Sequence, residues 1–284
     1  MNNLSTFIPR RSPLNPQVEA VRLILGVKLS ETHTRCLELL IRRRMDFFKL
    51  PYDSYLQLLK VDPEEQNLLR RDLTVNMTFF FRHPEHFDFL DDTLPVLLEQ
   101  KRRSEKVSIV SVGCSIGCEP FSIAMAVSLA GLAERVKITA FDIDLKSLER
   151  AKSGKPFADF RLSNKPTAKL WVNLALKQGY MYESDAYHNL EFFQVSDTIR
   201  QMVSFMPLDI LQEPPPEPAD FLFCSNVLMH LDNSRVLEVF PQLYASVVPG
   251  GYILISPDES SAVRAVIAIP SDPGLPESII QKYN

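Results

Sequence analysis

Val107-Ser108-Ile109-Val110-Ser111-Val112, then Gly113-Cys114-Ser115-Ile116-Gly117, then Glu119-Pro120-Phe121-Ser122-Ile123-Ala124-Met125-Ala126, and finally Val136-Lys137-Ile138-Thr139-Ala140-Phe141-Asp142-Ile143-Asp144: this stretch decides the fold. The first apolar run is short and bounded by a turn, which predicts a buried strand. The small residues that follow predict a tight turn, and the next run predicts a helix. The second apolar run predicts another strand, ending on an acid. Strand, glycine turn, helix and acid-tipped strand form the layout of a nucleoside-binding half-sheet.

The residue types suit that chemistry. A glycine at a strand end lets the backbone approach a ligand and take angles that other residues avoid, and Gly113 and Gly117 are placed for this. The helix beginning near Glu119-Pro120 directs free N–H groups and a positive dipole end at the turn. Pro120 fits the first turn, where its missing N–H has no helical partner. Asp142 can accept from two ribose hydroxyls at once, which serves NAD, FAD or S-adenosylmethionine alike. Two features tilt the choice. The glycines stand at 113 and 117, not in the three-glycine run that holds a pyrophosphate. Glu119 would repel a phosphate at the helix start and welcome a cationic ligand with an amino-acid end. That favours S-adenosylmethionine, against the plain alternative of a strand–turn–helix packing unit.

Working outward, 284 residues hold one large domain or two modest ones. An apolar content of 45% and a charged content of 23% fit an ordinary folded protein. A formal charge of −4 argues against a dedicated nucleic-acid binder. Cys36, Cys114, Cys118 and Cys224 read as reduced thiols, with no metal site. The start of the chain lacks a signal-peptide core, and no window approaches a membrane span. A cytoplasmic location without an integral membrane segment is the expectation.

Before the decisive stretch the pattern is helical, with helices predicted near 17–25, 31–48, 54–60 and 63–72. Residues 1–12 read as a disordered lead and 13–75 as an N-terminal helical domain. Residues 76–270 read as an α/β domain of Rossmann-like type, and 271–284 as a loose tail. Within the α/β domain, Tyr180–Tyr182, Leu190–Val195 and Met202–Phe205 suggest an inserted antiparallel β-subdomain over 180–205. Ala219–Cys224 and Gly251–Ile255 read as buried strands. Residues 145–153 and 233–243 read as helices, capped by Asp144 and by Asp232 or Asn233. Residues 1–80 carry 12 Lys/Arg and 9 Asp/Glu, a net of +3, which leaves −7 for the rest. Arg42-Arg43-Arg44 is either a solvated helix face or a docking face for an acidic partner.

Asn76-Met77-Thr78-Phe79-Phe80-Phe81-Arg82 resembles the Asn-x-Thr-x-Phe-Phe-Arg signature of the CheR family, the chemotaxis receptor methyltransferases that act on protein glutamates. Gly117 to Ala124 is similar to the family's Gly-Glu-Glu-Pro-Tyr-Ser-Ile-Ala. Ala140 to Asp144 is similar to its Ala-x-Asp-Ile-Asp, and Cys224 to Leu231 to its Cys-Arg-Asn-Val-x-Ile-Tyr-Phe. The likeness runs over about residues 15–260. It implies methyl transfer from S-adenosylmethionine, leaving S-adenosylhomocysteine, to glutamate carboxylates of a chemoreceptor cytoplasmic domain or similar signalling protein. It also implies a helical domain joined to a methyltransferase domain with an inserted β-subdomain. By the same resemblance, Thr78 and Arg82 line the cofactor and target site. Glu119 meets the amino end of the cofactor, Asp142 its ribose, and Asn226 and Val227 its adenosine and methionine portions. His230 takes the place of a tyrosine beside the transferred methyl. Phe79, Phe80 and Phe81 are expected to pack and hold Arg82 in place. His83 and His86 are expected at a helix start and on the surface.

The departures cluster at the site. Ser225 stands for an arginine, His230 for the tyrosine and Cys118 for the first of two glutamates. Asp209 stands where the family has an asparagine facing the adenine. Ser256-Pro257-Asp258-Glu259 replaces Gly-His-Ser-Glu, and the aromatic final strand pair is not recognisable in residues 262–284. Three readings follow: an active protein carboxyl methyltransferase, a catalytically weakened or inactive CheR-like scaffold that binds partners in chemosensory signalling, or a small-molecule methyltransferase.

Overall fold

The computed structural model describes residues 16–28, 31–73, 78–154, 157–158, 165–187, 190–269 and 272–283. They fall into two units, divided between Thr74 and Val75. The expected lead, 1–12, lies outside the described residues.

The first unit is helical: α1 (Pro16–Leu25), α2 (Glu31–Phe48), α3 (Tyr52–Val61) and α4 (Pro63–Leu73). Apolar residues at three- and four-residue spacing, Val18, Val21 and Leu25 on α1 with Leu37, Leu40 and Ile41 on α2, meet Tyr55, Leu59 and Leu69 in one core. Arg44 does not belong to a solvated arginine face. Its guanidinium grips the buried Glu65 with two bonds, Nε to Oε1 at 2.8 Å and Nη2 to Oε2 at 2.5 Å. The Tyr55 hydroxyl donates to the same carboxylate at 2.7 Å. Arg42 and Arg43 alone of the three are exposed. Removing one partner of such a pair strands the other in a poorly solvated place. Glu65→Ala is therefore expected to cost about 3–5 kcal/mol in urea denaturation of the full chain.

The second unit opens with α5 (Pro84–Gln100), whose Phe87, Leu90, Leu94 and Leu98 form one buried stripe. There follow β1 (Val107–Val112), α6 (Cys118–Leu129), β2 (Val136–Asp142), α7 (Leu145–Ser153), β3 (Phe157–Ala158) and α8 (Pro166–Lys177). Next come β4 (Met181–Tyr187), β5 (Leu190–Val195), α9 (Asp197–Gln201), β6 (Val203–Pro207) and β7 (Ala219–Cys224). The chain closes with α10 (Asn233–Ala245), β8 (Val247–Ile255), α11 (Pro257–Ile267) and β9 (Ile279–Gln281).

Six strands form one sheet in the order β6-β2-β1-β7-β8-β9. All its pairs are parallel except β8 with β9. Alternation along β1 sets its two layers. Val107 and Ile109 join a core with α5, α6 and α8, whereas Val110 and Val112 join a core with α10 and Val263 of α11. Burial on both faces explains why these strands read as continuous apolar runs. This is the α/β, Rossmann-like architecture expected from the sequence, and no helix among the described residues is long and apolar enough to cross a membrane.

Two expectations are corrected. The 271–284 tail is not loose where it is described. Ile279 and Ile280 are buried, and β9 pairs antiparallel with β8. Met202–Phe205 does not belong to an inserted flap over 180–205. Ser196 caps α9, and the chain then enters the main sheet as β6, in register with β2 from Ile138↔Val203 to Asp142↔Pro207. The separate antiparallel sheet is β3-β5-β4, so it recruits Phe157–Ala158 instead.

Candidate active site

β2 and β6 continue the sheet on one side of β1, and β7, β8 and β9 continue it on the other. The order therefore reverses between β1 and β7, and a crevice opens there at the carboxyl ends of the strands. The sequence-predicted residues gather on that edge. Gly113 leaves β1 with φ 71°, and a Cβ there would lie 2.3 Å from Val227 Cγ2. Gly113 is exposed and Val227 half-buried, so the Val227 side chain packs directly against the Gly113 backbone and any side chain on residue 113 would collide with it. Gly117 differs. It is buried, and a Cβ would meet Phe121 at 2.9 Å and Ala151 at 3.2 Å. It shapes the turn and the α6–α7 packing, whereas Gly113 admits the Val227 side chain at the end of β1.

Asp142, at the end of β2, is buried, and its carboxylate organises the turn. Oδ2 accepts from Ser115 N at 2.6 Å, and Oδ1 accepts from Asp144 N at 2.8 Å. Burial raises its pKa, and these N–H donors oppose the rise. Leu208 N donates to Asp142 O at 3.1 Å, which brings Asp209 to the neighbouring strand end. There Asp209 Oδ1 accepts from Leu211 N at 3.0 Å.

Arg82 lies in a region rich in acid. The guanidinium is half-buried and stands over the Phe79 ring, 5.5 Å from its centroid. Burial lowers its pKa, and Asp258, Glu119 and Glu259 pull it back. Phe80 and Phe81 are buried, as packing residues should be. Phe81 has the unusual φ of 52° for a bulky residue. It is held there by its N–H donating to Ser122 Oγ at 2.9 Å, and its ring stacks on Trp171 at 5.7 Å. Thr78, four residues before Arg82, is half-buried, while Asn76 and Met77 of the same signature lie outside the described residues.

Glu119 extends from α6 and accepts from Ser111 Oγ at 2.8 Å. Burial pushes its pKa up to about 7, opposed by Ser111, Ser225 and the charge of Arg82. Ser225 stands beside it without a hydrogen bond of good geometry, and the buried hydroxyls of Ser115 and Ser225 are both left unmatched. Asn226, the next residue, is left-handed at φ 60°. A single-turn 3₁₀ helix, Leu228–His230, follows Val227 and ends on the half-buried His230.

The sequence reading gave no role to Glu259 or Asp258 and missed the burial of His83 and His86. Glu259 is buried and takes three backbone N–H groups: Asn226 at 2.8 Å, Met229 at 2.8 Å and Ser256 at 3.0 Å. The signal was Ser256-x-x-Glu259, a capping-box spacing that the structure confirms at the start of α11. Asp258 joins the field around Arg82. His83 stands at a helix start as expected, at the N-cap of α5, but neither it nor His86 is a surface residue. Both are buried, with His83 Nε2 donating to Asn226 Oδ1 at 2.8 Å and the His86 ring 6.1 Å from Phe223. Burial lowers the pKa of His83 and takes that of His86 to about 3.

The raised pKa of Glu119 has a direction that can be measured. The folded chain holds this proton up to about pH 7, whereas an unfolded glutamate releases it near the ordinary value of 4.5. The folded state thus binds more protons in between. The stability this gives is full below pH 4.5, is lost as pH rises to about 7, and does not change above that. Glu119→Gln removes the dependence. It is expected to raise stability at pH 7.5 by roughly 1–3 kcal/mol over its effect at pH 4.5, read by denaturant titration at both pH values.

The family described as "CheR methyltransferase, SAM binding domain" matches residues 76–265. A chemotaxis protein methyltransferase of Escherichia coli (strain K12) is 30% identical over 227 residues, covering 78% of this chain and 74% of that protein. One of Borreliella burgdorferi is 32% identical over 197 residues, covering 66% and 65%. The probable biofilm formation methyltransferase WspC of Pseudomonas aeruginosa is 28% identical over 244 residues, covering 84% of this chain and 54% of WspC, so the chain spans about half the length of that relative. With its glycine turn, acid-tipped second strand and Arg82 segment all inside the matched region, the chain belongs to the CheR methyltransferase family.

Proposed function

We propose that this chain transfers a methyl group from S-adenosylmethionine to a glutamate side-chain carboxylate of a chemoreceptor-like signalling protein. The observation that carries the reading is Arg82: a half-buried cation whose charge is felt by Glu119, the acid of α6 just beyond the glycine turn. The residues fit the cofactor. Gly113 ends β1 with a left-handed backbone against the Val227 side chain, and the buried hydroxyls of Ser115 and Ser225 have no hydrogen-bond partner. Asp142 would hold the sugar hydroxyls, Asn226 and Val227 would flank the bound nucleoside, and Glu119 would hold the amino end. When bound, the cofactor supplies an electrophilic methyl on a sulfonium.

The protein's part is orientation and exclusion of water. A glutamate carboxylate is already ionised at neutral pH, so no strong base is needed. Arg82 would receive the target carboxylate with two parallel N–H bonds and aim one oxygen. His230 and Thr78 would wall the slot. Both reacting partners lose charge, so a dry site favours the transition state.

One observation favours the scaffold reading. With Ser225 in place of an arginine, Arg82 faces Glu119, Asp258 and Glu259, a field that opposes an incoming carboxylate. Incubation with radiolabelled S-adenosylmethionine and a receptor cytoplasmic fragment separates the two. Base-labile label on glutamate supports the enzyme, and its absence with every co-expressed receptor, despite cofactor binding, supports the scaffold.

A further inference from the structure

We infer that Glu259 and His83 are positioning residues for this site, together fixing the left-handed turn at Asn226 through its backbone N–H and its side-chain amide. The inference rests on the methyl-transfer reading above. Neither side chain is offered as a ligand contact: Glu259 is 2% exposed and His83 7% exposed. Each acts through the groups it holds.

The turn after β7 carries Asn226, Val227 and His230, and Asn226 has a backbone angle that a non-glycine residue adopts at a cost. Such a conformation persists only when its surroundings determine it. Glu259 determines it from below. Oε1 accepts from Asn226 N at 2.8 Å at the start of the turn, and Oε2 accepts from Met229 N at 2.8 Å near its end. A capping box needs only the third bond, from Ser256 N to Oε1. The other two reach across to a separate loop and serve no helix-capping purpose. His83 determines the turn from the opposite side. Its Nε2 donates to Asn226 Oδ1 at 2.8 Å, and Asn226 Nδ2 donates to Ser256 Oγ at 3.1 Å.

The result is a closed bracing circuit of Asn226, Ser256 and Glu259, to which His83 is tied through Asn226 Oδ1. His83 follows Arg82 directly in the chain. Val227 meets Gly113, and His230 N donates to Val227 O at 3.1 Å. The circuit therefore sets the distance between the arginine segment and the turn that would flank the nucleoside. Without Glu259, the N–H groups of Asn226 and Met229 lose their acceptor, and the turn can relax.

The test uses the full chain and calorimetry with S-adenosylhomocysteine, at a temperature where circular dichroism finds every variant folded. Glu259→Gln keeps the volume but turns an amide NH2 toward one of the backbone donors. It is expected to weaken binding about tenfold or more at unchanged stoichiometry. His83→Ala is expected to weaken it similarly, and His83→Gln, whose amide can still donate to Asn226 Oδ1, to restore most of the loss. A purely structural role would lower stoichiometry and melting temperature and leave the affinity of the folded fraction unchanged. If Glu259→Gln fails to fold, the two His83 variants decide the matter alone. Wild-type binding with affinities within about twofold in His83→Ala and any folded Glu259→Gln overturns the inference. Absence of binding by the wild type overturns the methyl-transfer reading, and this inference with it.

Discussion

Arg82→Ala is expected to lower kcat/KM for methyl transfer to a receptor fragment by about two orders of magnitude or more. A guanidinium–carboxylate fork in a half-buried site is worth about 3 kcal/mol or more when one side is truncated, and each 1.4 kcal/mol is a factor of about ten in rate. The melting temperature of the ligand-free protein is expected to move far less. Arg82 lies beside three acids, and two of them, Glu119 and Glu259, already have pKa values near 7 and can take a proton when the cation leaves. Arg82→Lys retains the charge but loses the planar fork, so an intermediate rate is expected. Activity of the alanine variant within about threefold of wild type would remove Arg82 from the mechanism.

Asp142→Asn is expected to weaken S-adenosylhomocysteine binding by about a hundredfold or more. Two losses combine. The carboxylate that would accept both sugar hydroxyls becomes an amide with one oxygen. In addition, one of the buried donors, Ser115 N at 2.6 Å or Asp144 N at 2.8 Å, then faces an NH2 group. An unmatched buried donor costs about 1–3 kcal/mol, and losing a hydrogen bond to a charged acceptor adds a similar amount. Some of this loss falls on the ligand-free turn, so the melting temperature is expected to drop by a few degrees. Calorimetry and a thermal melt on the same sample separate the two contributions.

The parts of the fold legible in the sequence are those where local pattern and burial agree. β1, β2 and β7 were plain because a parallel sheet covered on both faces needs uninterrupted apolar runs. α7 was plain because Asp144 caps it, accepting from Lys146 N and Ser147 N. β9 was missed because three residues in a proline-bearing tail carry no period, and its place comes from pairing with Tyr252–Leu254 of β8. β6 was assigned to the flap because Met202–Phe205 looks like its neighbours. Only the parallel register with β2 distinguishes it. At the site, Gly113, Glu119 and Asp142 were read from their spacing around one strand–turn–helix. Arg82, Thr78 and His230 came from family resemblance, since no local pattern announces them. Glu259 and His83 escaped because their partners are 33 and 143 residues away. Polar contacts over such separations leave no trace in periodicity, and a capping-box glutamate looks the same whether or not it also holds a second loop.

Titration of the 284-residue chain with S-adenosylhomocysteine in a calorimeter tests the central claim most directly. A single site of micromolar affinity, weakened about a hundredfold or more in Asp142→Asn and weakened at acid pH as Glu119 takes up its proton, is the predicted result. No heat of binding at millimolar ligand from a folded sample would contradict the account.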